Sequence, residues 1–358
     1  MFYRENGQFK TSYSADQALL PIRQDKFFIW AILAVFFLVV PAIATPYWFT
    51  AVLIPLSIMC LAALGVNVLV GYCGQISLGS GAFMAMGAYG AYNLFVRLPG
   101  TPLLVALVFG GLCALLFGIV FGLPSLRVKG LYLAIATLAA QSFSDWMFLR
   151  IKWLTNNSAS GSVSVSNLQV FGIPLDTPAM RYLFCLTVLV VTALLVKNLV
   201  RGAIGREWMA IRDMDVAASV IGIRPMYAKL SAFAVSSFII GMAGALWGFV
   251  HLSSWEPGAF NIDISFKLLF MVIIGGMGSI LGRFVGAACI VLLPIFLTPF
   301  LPVAAGVFGL QISTATISHV EFIVFGALIV WFLIVEPHGL AKLWSVAKQK
   351  LRVWPFPH

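Results

Sequence analysis

Residues 27–96 read FFIWAILAVFFLVVPAIATPYWFTAVLIPLSIMCLAALGVNVLVGYCGQISLGSGAFMAMGAYGAYNLFV, a run of 70 without one Asp, Glu, Lys or Arg. A helix needs about 20 mostly apolar residues to cross the hydrocarbon core of a bilayer. The run therefore holds three crossings with short turns, at 27–45, 50–70 and 77–96. Pro46 marks the first turn, and the glycine-rich stretch 71–81 marks the second.

The rest of the chain extends this pattern. Hydrophobic residues make up 61% of the 358 and charged residues 9%, whereas a soluble domain carries roughly a quarter charged residues. Further apolar spans fall at 102–123, 131–149, 179–196, 230–250, 266–282, 284–300 and 318–335. The predicted fold is an all-α polytopic helical bundle of about ten transmembrane helices. Its parts are an N-terminal segment 1–26, a membrane domain 27–335 with a charged loop 197–229, and a basic tail 336–358. Ala42-Ile43-Ala44 mimics a signal-peptidase site, but many membrane-length stretches follow, so the first span is read as an uncleaved helix.

The 22 Lys and Arg residues test the topology, because cytoplasmic loops collect basic residues. With the N-terminus inside, only Arg97, Arg150, Lys152, Arg181 and Lys267 fall outside, against 17 inside, Arg283 among them. Both termini are therefore expected in the cytoplasm. The net charge of +10 reads as topology and contact with anionic headgroups, not as a nucleic-acid footprint. The five cysteines form no C-x-x-C pair and read as apolar packing residues.

Glycines cluster at 71–81 and 275–282. Small residues of this kind serve close helix packing, the expected role of Gly87, Gly90, Gly241 and Gly244. They also serve interrupted helices that line a pathway, where free backbone groups meet a substrate. Asn67, Gly74, Gln75, Ser77, Gly79 and Ser80 are candidates for the second role, since such polarity against lipid is costly. Gly275, Gly276, Gly278 and Ser279 are candidates too, with packing as the competing reading.

Ionisable residues inside a membrane are functional candidates. Asp145 and Glu321, the latter near His319, sit close to the expected outer interface, and no titratable relay crosses the midplane. This argues against an ion-coupled secondary transporter and suits a pathway opened by an external motor. Asn67, Gln141, Ser236 and Ser237 are the neutral polar residues expected to face the bundle interior. No Gly-Lys dipeptide exists, so there is no Walker A loop, and H-E-x-x-H and G-x-S-x-G are absent. No catalytic residue, metal site or cofactor is expected.

In the loop 197–229, Met209, Val216, Val220 and Ile221 recur at near-helical spacing between Glu207, Arg212, Asp213 and Asp215. This predicts one short amphipathic helix ending at Gly222. It reads either as a helix lying on the inner leaflet or as one that docks into a cytoplasmic ATPase.

Four stretches together resemble the permeases of branched-chain amino-acid ABC transporters, of the high-affinity leucine/isoleucine/valine type. They are Asn67 with 71–79, then 131–139, then Gly205-Arg206 with Ile211-Arg212-Asp213, Ala217-Ala218 and Gly222, and finally 274–279 with Gly282. The resemblance implies an ATP-driven importer of branched-chain or other hydrophobic amino acids. Urea, short amides and small carboxylates are the alternative cargo. It implies partners as well: a second homologous permease subunit, two cytoplasmic ATP-binding subunits and a periplasmic binding protein. Gly205, Arg206, Ile211, Arg212, Asp213, Asp215, Ala217, Ala218 and Gly222 would then be the coupling residues. An E-A-A-x-x-x-G pattern is matched by Ala217, Ala218 and Gly222, but Val216 stands where the acid belongs and Asp215 lies one position early. The outer loops 151–180 and 251–263, with Trp255, Glu256 and Asp263, would meet the binding protein.

Overall fold

The computed structural model describes residues 11–12, 23–125, 131–158, 160–166, 168–170, 172–307, 314–335 and 339–353. Much of the expected N-terminal segment, the connection carrying Arg127 and Lys129, and the side chains of His319 and Glu321 lie outside the described residues.

The described chain is overwhelmingly helical. Its helices are α1 (Lys26–Ile43), α2 (Pro46–Tyr72), α3 (Ser80–Arg97), α4 (Leu103–Ser125), α5 (Leu131–Arg150) and α6 (Pro178–Arg201), followed by α7 (Ala203–Asp213) and α8 (Asp215–Val220). After them come α9 (Pro225–Leu252), α10 (Ile262–Gly275), α11 (Ile280–Val307), α12 (Thr314–Val335) and α13 (Gly339–Val353). Among the described residues, seven helices are long and apolar enough to cross a membrane: α1, α2, α4, α6, α9, the segment Pro257–Gly275 that ends in α10, and α11. The chain is a multi-pass membrane protein. α3, α5 and α12 are helices where the sequence puts three further spans.

α3, α4 and α9 pack most extensively with one another. Glycine makes this possible. A Cβ on Gly87 would lie on the backbone of Gly241, one on Gly244 on the backbone of Met84, and one on Gly110 on the carbonyl of Gly87. With no side chain between them, the three backbones meet directly, which is how membrane helices gain dispersion contacts without a hydrophobic drive. Ser236 and Ser237 are buried in the same region and donate to Gly65 O and Phe233 O, at 2.8 and 2.7 Å. α2 runs through the centre, with 89% of its membrane-length window buried, whereas α1 has none buried and lies at the periphery. All five cysteines are free.

Two departures from the sequence reading bear on function. The span expected at 266–282 stops at Gly275, and the next begins at Ile280, because Gly276 (φ +96°) and Gly278 (φ +81°) turn the chain into a region that favours glycine. The loop helix expected to run unbroken to Gly222 is two helices, α7 and α8, parted at the extended residue Met214 (φ −159°, ψ 96°). Spacing counted through that break no longer follows one face. Gly205, Trp208, Ile211 and Ala218 are the buried residues, while Val216, Val220 and Ile221 are exposed at 68%, 82% and 74%.

At the other end of the bundle, β1 (Val163–Ser164) pairs antiparallel with β4 (Ser254–Trp255), and β2 (Gln169–Val170) with β3 (Ile173–Pro174). Val163 faces Trp255. The pairing joins the two loops expected to act together. Trp255 itself is buried against Tyr89, Tyr92 and Phe249, so it is a core residue and not a docking side chain. Glu256 and Asp263 are exposed.

Replacing Gly87 with Leu is expected to destabilise the bundle by about 1–3 kcal/mol or more through overpacking. Gly326→Ala, at a glycine with open space around it, is the control. Thermal unfolding of the purified chain in detergent checks the contrast, and equal midpoints for the two variants would refute it.

Candidate functional site

The residues singled out in the sequence fall into two polar layers on either side of the break between α2 and α3. The break begins in α2, whose last turn, Val68–Tyr72, is π-helical, a geometry common where a helix serves a site. Gly74 N bonds Val70 O at 3.2 Å and Gln75 N bonds Leu69 O at 3.0 Å. Gly74, at φ +71°, then leads into a non-helical stretch. Along it Gln75, Ser77 and Gly79 point inward, while Gly74 and Ile76 are exposed.

The first layer gathers around Asn67, which is fully buried. Its Oδ1 accepts from Gly278 N at 3.2 Å and from Arg283 Nη2. Arg283 also donates to Val272 O and Gly276 O. It thus caps the carbonyl end of α10, where the helix dipole favours a cation. Counted in the sequence as an inner-loop charge, Arg283 is fully buried in the first turn of α11. Arg212, on α7, donates from Nη1 to Gly71 O at 3.0 Å and caps α2 in the same way. Glycine is required at this crossing. A Cβ on Gly71 would fall 2.6 Å from Gly278 N, and one on Gly74 would fall 2.9 Å from Arg212 Cγ. Gly275 and Gly282 likewise bring α10 and α11 into backbone contact. Ser279 is a helix cap, its Oγ accepting from Gly282 N at 3.1 Å.

The second layer lies where α3 begins. Leu78 N donates to Thr137 Oγ1 at 2.9 Å, Gly79 N to Ser77 Oγ at 3.3 Å and Gly81 N to Ser265 Oγ at 2.8 Å. Gln141 Nε2 donates to Phe260 O at 2.8 Å and to Asp145 Oδ1 at 3.4 Å, whereas its Oε1 has no hydrogen-bond partner among the described residues. Ser80 is buried in the first turn of α3. Leu78 and Gly79 therefore meet α5, and Gly81 meets α10, away from the turn 276–279. The structure brings Asn67 and Gly71 to Gly278, sets Gly74 beside Arg212, and leaves Ser77, Gly79 and Ser80 in a separate layer.

The coupling candidates also divide. A Cβ on Gly205 would overlap the backbone of Val200, so this glycine is needed for the tight corner from α6 into α7. Arg206 is exposed and donates to Arg201 O at 3.1 Å. Ile211 and Ala218 are buried, and Ala217 and Asp213 are exposed. Asp213 pairs with Arg212 at 2.8 Å. Asp215 binds Lys229 Nζ at 3.1 Å and ties the start of α8 to α9. Gly222, at φ +91°, ends the segment. Beside it lies a cleft of about 390 Å³ lined by Glu207, Ile221, Gly222, Ile223, Arg224 and Tyr227. Arg283, Thr137 and Ser265 were missed as site residues. A lone basic residue flanked by two apolar spans was the one available signal for Arg283.

A family model for the permease component of the branched-chain amino acid transport system matches residues 49–333, across both layers and α7–α8. The chain belongs to this family. Similar relatives include two high-affinity branched-chain amino acid transport system permease proteins LivM. The Escherichia coli protein is 32% identical over 61% of this chain and 56% of its own length. The Salmonella typhimurium protein is 30% identical over 72% and 64%. A probable branched-chain amino acid transport permease protein LivM of Methanocaldococcus jannaschii is 23% identical over 66% and 68%. The matched region thus spans less than two thirds of the first two relatives. No solved structure matches the chain.

Asn67→Ala removes the acceptor shared by Gly278 and the buried Arg283, and is expected to cost about 1.5–3 kcal/mol, the range for bonds to a charged group. Asn67→Asp keeps both bonds and adds a counter-charge, so it is expected to be at least as stable as the parent chain. Chemical denaturation in detergent micelles gives the ranking, and an alanine variant as stable as the aspartate variant would sink the assignment.

Proposed function

We propose that this chain is a membrane-spanning permease subunit of an ATP-binding cassette importer that carries branched-chain or other hydrophobic amino acids into the cytoplasm. It crosses the inner membrane of a bacterium ten times, with both termini in the cytoplasm. Its partners are two ATP-binding subunits, a second homologous permease subunit and a periplasmic binding protein that docks at the strand-bearing end. The family and the basic-residue asymmetry support this reading, and so does the lack of a nucleotide-binding loop in the chain.

One observation carries the mechanism: Arg212 on α7 holds Gly71 O at the broken end of α2. The exposed apolar residues Met214, Val216, Val220 and Ile221, beside the cleft at Gly222, offer the ATP-binding subunit a surface. When that subunit moves α7 and α8, Arg212 shifts against Gly71, and through Asn67 the shift reaches Gly278. The pathway then opens between Asn67, Gly74 and Gln75 on one side and Gly275, Gly276, Gly278 and Ser279 on the other, and continues past the second layer at Ser77, Gly79 and Ser80. Coupling runs through Gly205, Arg206, Ile211, Arg212, Asp213, Asp215, Ala217, Ala218 and Gly222. The chain itself performs no covalent chemistry.

Arg212→Gln is expected to cut uptake at least tenfold while the ATP-binding subunits still co-purify. Val220→Asp with Ile221→Asp is expected to abolish co-purification. Unchanged uptake in the first or unchanged association in the second would refute the coupling path. For the cargo, uptake of labelled leucine by the reconstituted complex is expected to exceed that of urea at least tenfold, and the reverse order would reassign the substrate.

A further inference from the structure

α13 is unlike the other helices. Its sequence, GLAKLWSVAKQKLRV, holds four cations, Lys342, Lys348, Lys350 and Arg352, and no acid. Leu340, Leu343, Trp344, Ala347 and Leu351 recur at i, i+3, i+4, i+7 and i+11, which is one stripe along a helix. At its N-terminal end the stripe is seated on the bundle: Leu340 is half-buried against the core. Further along it is uncovered, with Leu343 exposed at 42% and Trp344 at 53%. By register, Lys348 and Lys350 flank the stripe on its two sides. That is the pattern of a helix lying in a membrane interface, where long basic side chains reach the headgroups.

Three residues separate α12 from α13. They carry the helix no further than about 14 Å from the end of α12, so its stripe stays near the level where α12 leaves the bilayer. Two kinds of occupant suit an uncovered apolar and basic face: an anionic lipid surface and a protein. The charge favours lipid, because a helix with four cations and no acid complements a uniformly negative surface. The α7–α8 segment, by contrast, mixes Arg206 and Arg212 with Glu207, Asp213 and Asp215.

The root of α13 touches the first polar layer. Gly339, at φ +69°, packs on the backbone of Gly276, and Ala341 Cβ lies 3.1 Å from the place a Cβ would take on Gly282. Gly276 O is one of the three oxygens that hold Arg283.

We propose that α13 is a docking helix for anionic phospholipid on the inner leaflet, and that its docked position sets the turn 276–279. The inference rests on the proposed topology, with α12 crossing the membrane and the C-terminus in the cytoplasm, and its readout is independent of transport, so it fails or stands apart from the importer reading.

The test uses the full chain with Leu343→Cys, an exposed site on the stripe of α13, in nanodiscs of phosphatidylcholine alone or with 30% phosphatidylglycerol. Labelling by an uncharged, water-soluble maleimide is compared with that of the parent chain, to subtract the native thiols. The anionic lipid is expected to slow labelling at least tenfold, and 0.5 M salt to reverse most of this. Changing Lys348, Lys350 and Arg352 together to Gln is expected to abolish the lipid effect without changing the melting temperature. Equal labelling in both lipids would overturn the proposal. So would protection that appears only when the ATP-binding subunits are added, whatever the lipid charge, since the occupant would then be a protein.

Discussion

A helix that stops inside an apolar bundle leaves carbonyl groups facing no water, and here two such ends are met by two arginines at one crossing. Arg212 caps α2 at Gly71, and Arg283 caps α10 at Val272 and Gly276. Asn67 joins the pair, accepting from Arg283 and from Gly278 with one oxygen. Two interrupted helices thereby become one cross-linked unit. The glycines around it follow from the same need, since donors reach these carbonyls only where no side chain stands between the backbones.

The second layer solves the same problem with neutral groups. Thr137, Ser77 and Ser265 take the N–H groups at the start of α3, and Gln141 ties α5 to Phe260 O. From Phe260 the chain leads back four residues to Glu256 and then to β4, whose Trp255 is sunk between Tyr89, Tyr92 and Phe249. The paired loops are thus tied to the second layer, and the chain from Ser77 back to Gly71 leads on to the first layer and α7. Among the described residues neither layer uses a fully buried carboxylate.

Membership of the branched-chain amino-acid permease family gives this geometry a context. α7 and α8 combine exposed apolar side chains with a direct bond into the interrupted helices. α13 adds a second contact to the same crossing, through Gly339 and Gly276.

By itself the sequence determined the membrane class, the positions of most of the long helices and the packing role of Gly87, Gly241 and Gly244, because these follow from local apolar length and from residue size. It also marked Asn67, Gly71, Gly74, Gly276, Gly278 and Arg212 as unusual. What it left undecided was which of them meet. Asn67 lies 216 positions from Arg283, and Gly71 lies 141 from Arg212, and spacing along the chain carries no information about contacts at that range. Only the tertiary structure divided the glycine-rich stretch into two layers and turned Val216, Val220 and Ile221 outward. It also converted Arg283 from a loop charge into a buried cap, because the open carbonyl end of α10 exists only once Gly276 and Gly278 have broken the helix.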